Sequence, residues 1–102
     1  VWAVGVDVDQ YSVGDMGNGE SCILTSAMKD VTGVAYDQAM AAANGTFEGG
    51  VHLVLGVADG RAGIPASNPN LTPEIEAEVA DVAKLIADGS IVVQDTADGL
   101  IK

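Results

Sequence analysis

Two carboxylates one residue apart, Asp7 and Asp9, stand at the end of the apolar run 2–8, and Lys29 follows a second apolar run at 22–26. A carboxylate accepts from hydroxyls and an ammonium donates to their lone pairs, so an Asp and a Lys at neighbouring strand ends can grip the vicinal hydroxyls of a sugar. Such a grip needs no nucleophile and no activated water. The competing reading of Asp7 and Lys29 is an ordinary surface ion pair, or two unrelated surface charges. Other reactive residue types are isolated. Cys22 is the single cysteine, which leaves no internal disulfide and no Cys-based metal site, and its apolar setting reads as a buried structural thiol. His52 has no Cys, Ser or Asp partner at a recognisable spacing and reads as structural or surface. The stretch 56–63 lacks both Gly-Lys-Ser/Thr and the dinucleotide spacing, so it reads as a turn and not as a phosphate cradle.

The Asp7-Val8-Asp9 strand end also bears comparison with haloacid-dehalogenase-type phosphatases, in which the first Asp of Asp-x-Asp attacks phosphorus. Thr25-Ser26 and Lys29 would then mimic the phosphate-binding hydroxyl and the lysine of that family. The likeness stops there. Phosphoryl transfer also needs carboxylates after a later strand to hold a metal, and Asp59 has no second carboxylate beside it. A calcium loop fits less well, because Tyr11 and Ser12 stand where an oxygen ligand and a turn glycine belong. No catalytic residue, metal site or cofactor is assigned.

The elements that must position these residues alternate. Residues 2–8, rich in Val and broken by Gly5, read as a buried strand of a parallel sheet. Residues 10–21 read as a glycine-bearing loop, and 22–26 as a second strand. Val34, Ala35, Ala39, Met40 and Ala43 recur at helical spacing, so 32–43 reads as a helix with a small-residue face that packs closely on a neighbour; Asn44-Gly45 ends it. Residues 51–57 read as a third strand, followed by a glycine-rich turn at 58–63. The clearest helix is 72–88, with Thr72 as N-cap, Pro73 in the first turn, Glu74 and Glu76 at the positive end of the dipole, and Gly89 as stop. Ile75, Val79, Val82 and Ile86 form its apolar stripe. Residues 91–93 read as a short extended finish. This is an α/β chain, and ligands of such sheets gather outside the carboxyl ends of the strands, where Asp7, Asp9 and Lys29 are expected.

Composition narrows the class. At 102 residues the chain supports one modest core at most. Fifteen acidic against 4 basic residues give a net charge of -11, which argues against nucleic acid as a partner, since phosphate contacts need clustered Lys and Arg. So acidic a surface is expected to be solvated and self-repelling. No apolar stretch approaches the length of a membrane span. No internal repeat or low-complexity linker occurs. The opening Val1-Trp2-Ala3-Val4 is already strand-like, and an N-terminal portion is expected to precede it.

Taken together, the motifs resemble one family. Trp2-Ala3-Val4-Gly5-Val6-Asp7-Val8-Asp9-Gln10 resembles the W-x-x-G-V-D-x-D-Q signature of the basic membrane protein (BMP) family, the purine nucleoside receptor lipoproteins of ABC importers. Leu24-Thr25-Ser26-Ala27-Met28-Lys29 is similar to its T-S-x-x-K segment, and Asn44-Gly45-Thr46-Phe47-Glu48-Gly49-Gly50 to its N-G-x-F-x-G-G turn. Ala35-Tyr36-Asp37, Leu55-Gly56-Val57 and Leu71-Thr72-Pro73-Glu74-Ile75 continue the agreement in order, over residues 2–93.

The resemblance implies a periplasmic-binding-protein type I fold with Rossmann-like three-layer lobes, of which residues 1–102 are an incomplete C-terminal segment contributing to both lobes. It implies an extracytoplasmic solute-binding component that is not an enzyme, needs no cofactor, binds nucleosides and docks on ABC permease subunits. It further implies that Asp7 and Lys29 hold the ribose hydroxyls, with Asp9 and Gln10 at the cleft edge. In the family the groups that read the base come from sequence before this segment, so base preference stays open. The acidic loop 11–21 and Gly60-Arg61-Ala62-Gly63 depart from the family pattern. Lipid anchoring belongs to the full-length family protein, and apolar surface on this segment is expected to be covered by the remaining portion or by a second copy. Two other readings are a phosphatase fragment using Asp7 and a ligand-sensing regulator with the same fold.

Overall fold

The computed structural model describes residues 1–94. Its centre is a three-stranded mixed sheet in the order β1-β2-β3, formed by Ala3–Asp7, Ile23–Lys29 and Ala62–Gly63. β1 and β2 run parallel, with Val4 opposite Thr25 and Asp7 opposite Met28, and an irregularity between Ala3 and Val4 takes up Leu24. β3 pairs antiparallel with the end of β2, Met28 opposite Gly63 and Lys29 opposite Ala62. A 3-10 turn at Tyr11–Gly14 opens the connection from β1 to β2. That connection is tied by its own side chains: Ser21 Oγ donates to the Tyr11 carbonyl at 2.6 Å and accepts the Ile23 amide at 3.0 Å. Two bonds from Asn70 Nδ2, to the Ser21 and Ile23 carbonyls, pin the start of β2.

Two helices flank the sheet. α1, Val31–Ala43, starts at Asp30, whose carboxylate accepts the Gly33 amide at 2.9 Å. It stops at Gly45, φ 71°, where the Gly45 and Thr46 amides close back on the Ala42 and Ala41 carbonyls. α2, Pro73–Ala87, starts as its sequence predicts, with Thr72 Oγ1 accepting the Ile75 amide. It ends at Asp88, with Gly89 at φ 80°. No helix among the described residues is long and apolar enough to cross a membrane.

Several expectations are corrected. β2 extends to Lys29, so the lysine is the last residue of the strand and does not merely follow it. Residues 51–57 form no strand: a strand needs a neighbour to complete its ladder, and this run meets none among the described residues. Its side chains stand open, Val54 at 82% exposure. The strand edge it was expected to supply comes instead from the end of the glycine-rich turn, as β3. β1 is parallel, as predicted, but not buried, since Val4 and Val6 are both more than half exposed. Cys22 is half-buried. No Ala, Val, Leu, Ile, Met or aromatic side chain among the described residues is buried, and of the small-residue face of α1 Val34 is half-buried while Ala35, Ala39, Met40 and Ala43 are exposed. The buried side chains are those of Ser21, Ser26, Pro65 and Asn68.

Candidate functional site

Parallel pairing of β1 with β2 puts their carboxyl ends side by side, and with them Asp7 and Lys29. Lys29 Nζ lies 3.0 Å from Asp7 Oδ1, with the two side chains 69% and 58% exposed. An ion pair this open contributes little to folding, so its geometry remains available to a ligand. Asp7 is also the one described non-glycine residue at positive φ, 75°. The Val8 amide donates to the Val6 carbonyl at 3.0 Å across it. A three-residue turn of that hand is the strained form, and backbone strain of this kind gathers at functional sites.

The rest of the first motif holds this turn. Gln10 Oε1 accepts the Val6 amide at 3.2 Å, and the Gln10 amide donates to Ser26 Oγ at 3.1 Å. Ser26 is fully buried beneath Gly5, where a Cβ would come within 2.7 Å of Gln10 Oε1. Gly5, Gln10 and Ser26 thus form one lock under the strand end, and the glycine is required by close approach. Asp9 Oδ1 accepts the Tyr11 amide at 3.0 Å and opens the 3-10 turn. The Thr25 hydroxyl donates to Asn68 Oδ1 at 2.6 Å, and Asn68 Nδ2 donates to the Pro65 carbonyl. Both hydroxyls of Thr25-Ser26 are therefore engaged within the fold. Among the described residues no three His, Cys, Asp or Glu side chains converge as metal ligands. His52 is exposed.

Beside Lys29 lies a cluster that no sequence motif announced. The Arg61 guanidinium bridges the Asp30 and Asp37 carboxylates, and the Arg61 carbonyl accepts the Asp30 amide at 2.9 Å. The Gly33 amide, and then the Arg61 side chain, hold the Asp30 carboxyl below its ordinary range. The same pairing with Asp30 raises Arg61. One sign of this cluster was legible, because an Asp directly before a helical run is a standard N-cap. That Arg61 would return to it from thirty-one residues away was not. Asn68 and Asn70 escaped for the same reason, since Asn68 meets the Thr25 hydroxyl and Asn70 the Ser21 and Ile23 carbonyls, all more than forty residues away.

A second feature is an apolar cleft of about 740 Å³ between the sheet and α2, lined by Val6, Ala27, Ile64, Ile75, Val79 and Ile86. The apolar stripe of α2 faces it, as its periodicity predicts. The cleft lies open.

Comparison with known proteins places nearly the whole chain in one family. The family model for PnrA-like ABC transporter substrate-binding proteins matches residues 1–97. A CD4+ T-cell-stimulating antigen of Listeria monocytogenes is 31% identical over 93% of this chain, and its Listeria innocua counterpart 30% identical over the same share. The ABC transporter nucleoside-binding protein BmpA of Lactococcus lactis is 34% identical over 91% of the chain. The chain spans 28% of the length of the two Listeria relatives and 27% of the Lactococcus one. With the match running over residues 1–97, Asp7 and Lys29 included, the chain belongs to the Bmp family of ABC transporter substrate-binding proteins, a family of transport proteins and not of enzymes.

Proposed function

We propose that the chain is the C-terminal segment of an extracytoplasmic nucleoside receptor of an ABC importer, in which Asp7 and Lys29 hold the ribose hydroxyls. The observation that carries this reading is the ion pair at the adjacent carboxyl ends of β1 and β2, 3.0 Å apart and open to solvent, with Asp7 in a strained turn. A carboxylate and an ammonium so placed complement a vicinal diol, whose hydroxyls donate to one and accept from the other. The nucleoside-binding relative from Lactococcus supports the choice of ligand class. Asp9 and Gln10 border the cleft through the backbone they hold. The full-length fold is a two-lobed periplasmic-binding-protein type I fold, and this segment contributes to both lobes. The ligand favours lobe closure, the closed form docks on the permease, and the receptor is anchored outside the cytoplasm as a lipoprotein.

Calorimetric titration of the full-length receptor with guanosine, adenosine and ribose tests the reading. Binding of at least one nucleoside is expected, weakened about 10- to 100-fold by Asp7→Asn, the loss of a hydrogen bond to a charged group. Failure of every nucleoside to bind would overturn it.

A further inference from the structure

Lys29 sits at the end of β2, and what fixes that end is not the sheet alone. β3 is two residues long, too short to hold its register on Lys29 and Met28 by ladder bonds. Immediately before β3, Arg61 grips the start of α1 at two points. Asp30 is the N-cap of α1 and Asp37 lies two turns along the same face, so one guanidinium spans both. Its backbone joins in, since the Arg61 carbonyl accepts the amide of Asp30, the residue next to Lys29. The Arg61 side chain is 26% exposed, less than either carboxylate, and forms the part-buried hub of the cluster. Gly33 makes room for it: a Cβ there would collide with Asp30 Oδ2 and the Arg61 guanidinium.

We propose that Arg61 is a positioning residue for ligand binding, which clamps Asp30 and Asp37, holds β3 against the end of β2 and so sets Lys29 opposite Asp7. This inference rests on the ribose reading above. Lysine is no substitute for arginine here, because a single ammonium lacks the planar fork that serves two carboxylates at once. Arg61 acts through Lys29, so its loss is felt by the hydroxyls of the sugar and not by the base.

The test is calorimetry on the full-length receptor with guanosine and 2′,3′-dideoxyguanosine. Arg61→Met is expected to weaken guanosine about tenfold, the size of coupling found within one salt-bridge network, and to leave the dideoxy ligand unchanged. Arg61→Lys recovers only part of the loss. Adding Arg61→Met to Lys29→Met costs nothing further. Equal weakening of both ligands, or full additivity with Lys29→Met, would reduce Arg61 to a structural residue and overturn the proposal. If the unsubstituted receptor binds both ligands equally, the ribose reading itself fails, which is a separate and recognisable outcome. Should Arg61→Met not fold, Asp37→Asn removes one anchor and carries the same comparison, with a smaller loss expected for guanosine alone.

Discussion

At the scale of residues, Asp7 joins an open ion pair with Lys29 to a backbone held at positive φ. Asp7 and Lys29 declare themselves by type and by their place at strand ends, whereas the positive φ at Asp7 leaves no trace in composition, because Asp also occupies ordinary backbone. The strain leads to a prediction with opposite effects on two measurements. Asp7→Gly relaxes a turn that costs an L-residue about 1–3 kcal/mol and gives up an ion pair of small worth. The unfolding midpoint in urea is expected to hold or rise, while nucleoside binding is lost; a clear fall in the midpoint would count against strain at Asp7. Gly5 supplies the converse. Gly5→Ala drives a Cβ into Gln10 and Ser26 and is expected to destabilise by about 1–3 kcal/mol, read as a lower denaturation midpoint. Asp30 adds a pH dependence. Its folded value is depressed, chiefly by the Gly33 amide and next by Arg61. The stabilisation is therefore complete above the unfolded aspartate range near pH 4 and lost as the pH falls through the lower folded value. Asp30→Asn is expected to flatten the acid limb of a stability profile below about pH 4.

At the scale of elements, success followed the locality of the signal. α2 was readable from end to end, because its N-cap, its proline, its acidic first turn and its terminal glycine all lie within the segment they control. Thr72→Ala is accordingly expected to cost about 1 kcal/mol and Thr72→Ser little, measured as a shift in urea midpoint. Equal losses from both would show that the hydroxyl is not the cap. Strands are different, since a ladder requires a partner, and that partner can lie anywhere in the chain. Residues 51–57 have strand composition and no partner among the described residues, while Ala62–Gly63 has turn composition and pairs because Arg61 and Asp30 bring it to β2. Composition records what a segment would do if paired. It does not record with what.

At the scale of the whole molecule, the described residues bury hydroxyls and amides in place of an apolar core. The radius of gyration, 16.5 Å, exceeds the roughly 13 Å of a compact domain near this length. Sequence predicted exposed apolar surface from the resemblance to a two-lobed family, but the place of that surface, the cleft between β1, β2 and α2, required coordinates. Val79 tests what fills it. In the isolated chain Val79 is half-buried in the wall of the open cleft, so Val79→Asp leaves its charge within reach of water, little stability is lost and binding of an apolar dye such as ANS falls. If the remainder of a full-length receptor covers the cleft, the same substitution there buries an uncompensated charge and is expected to cost about 3–5 kcal/mol. Equal, small effects in both would mean that the cleft stays open in the intact protein. A second copy of the chain makes a different prediction: dye binding by the isolated chain would fall with rising protein concentration as sedimentation shows a dimer. Coverage by the remainder of the receptor predicts dye binding proportional to concentration and no dimer, and with a net charge of -11 opposing self-association, this is the outcome expected at low salt.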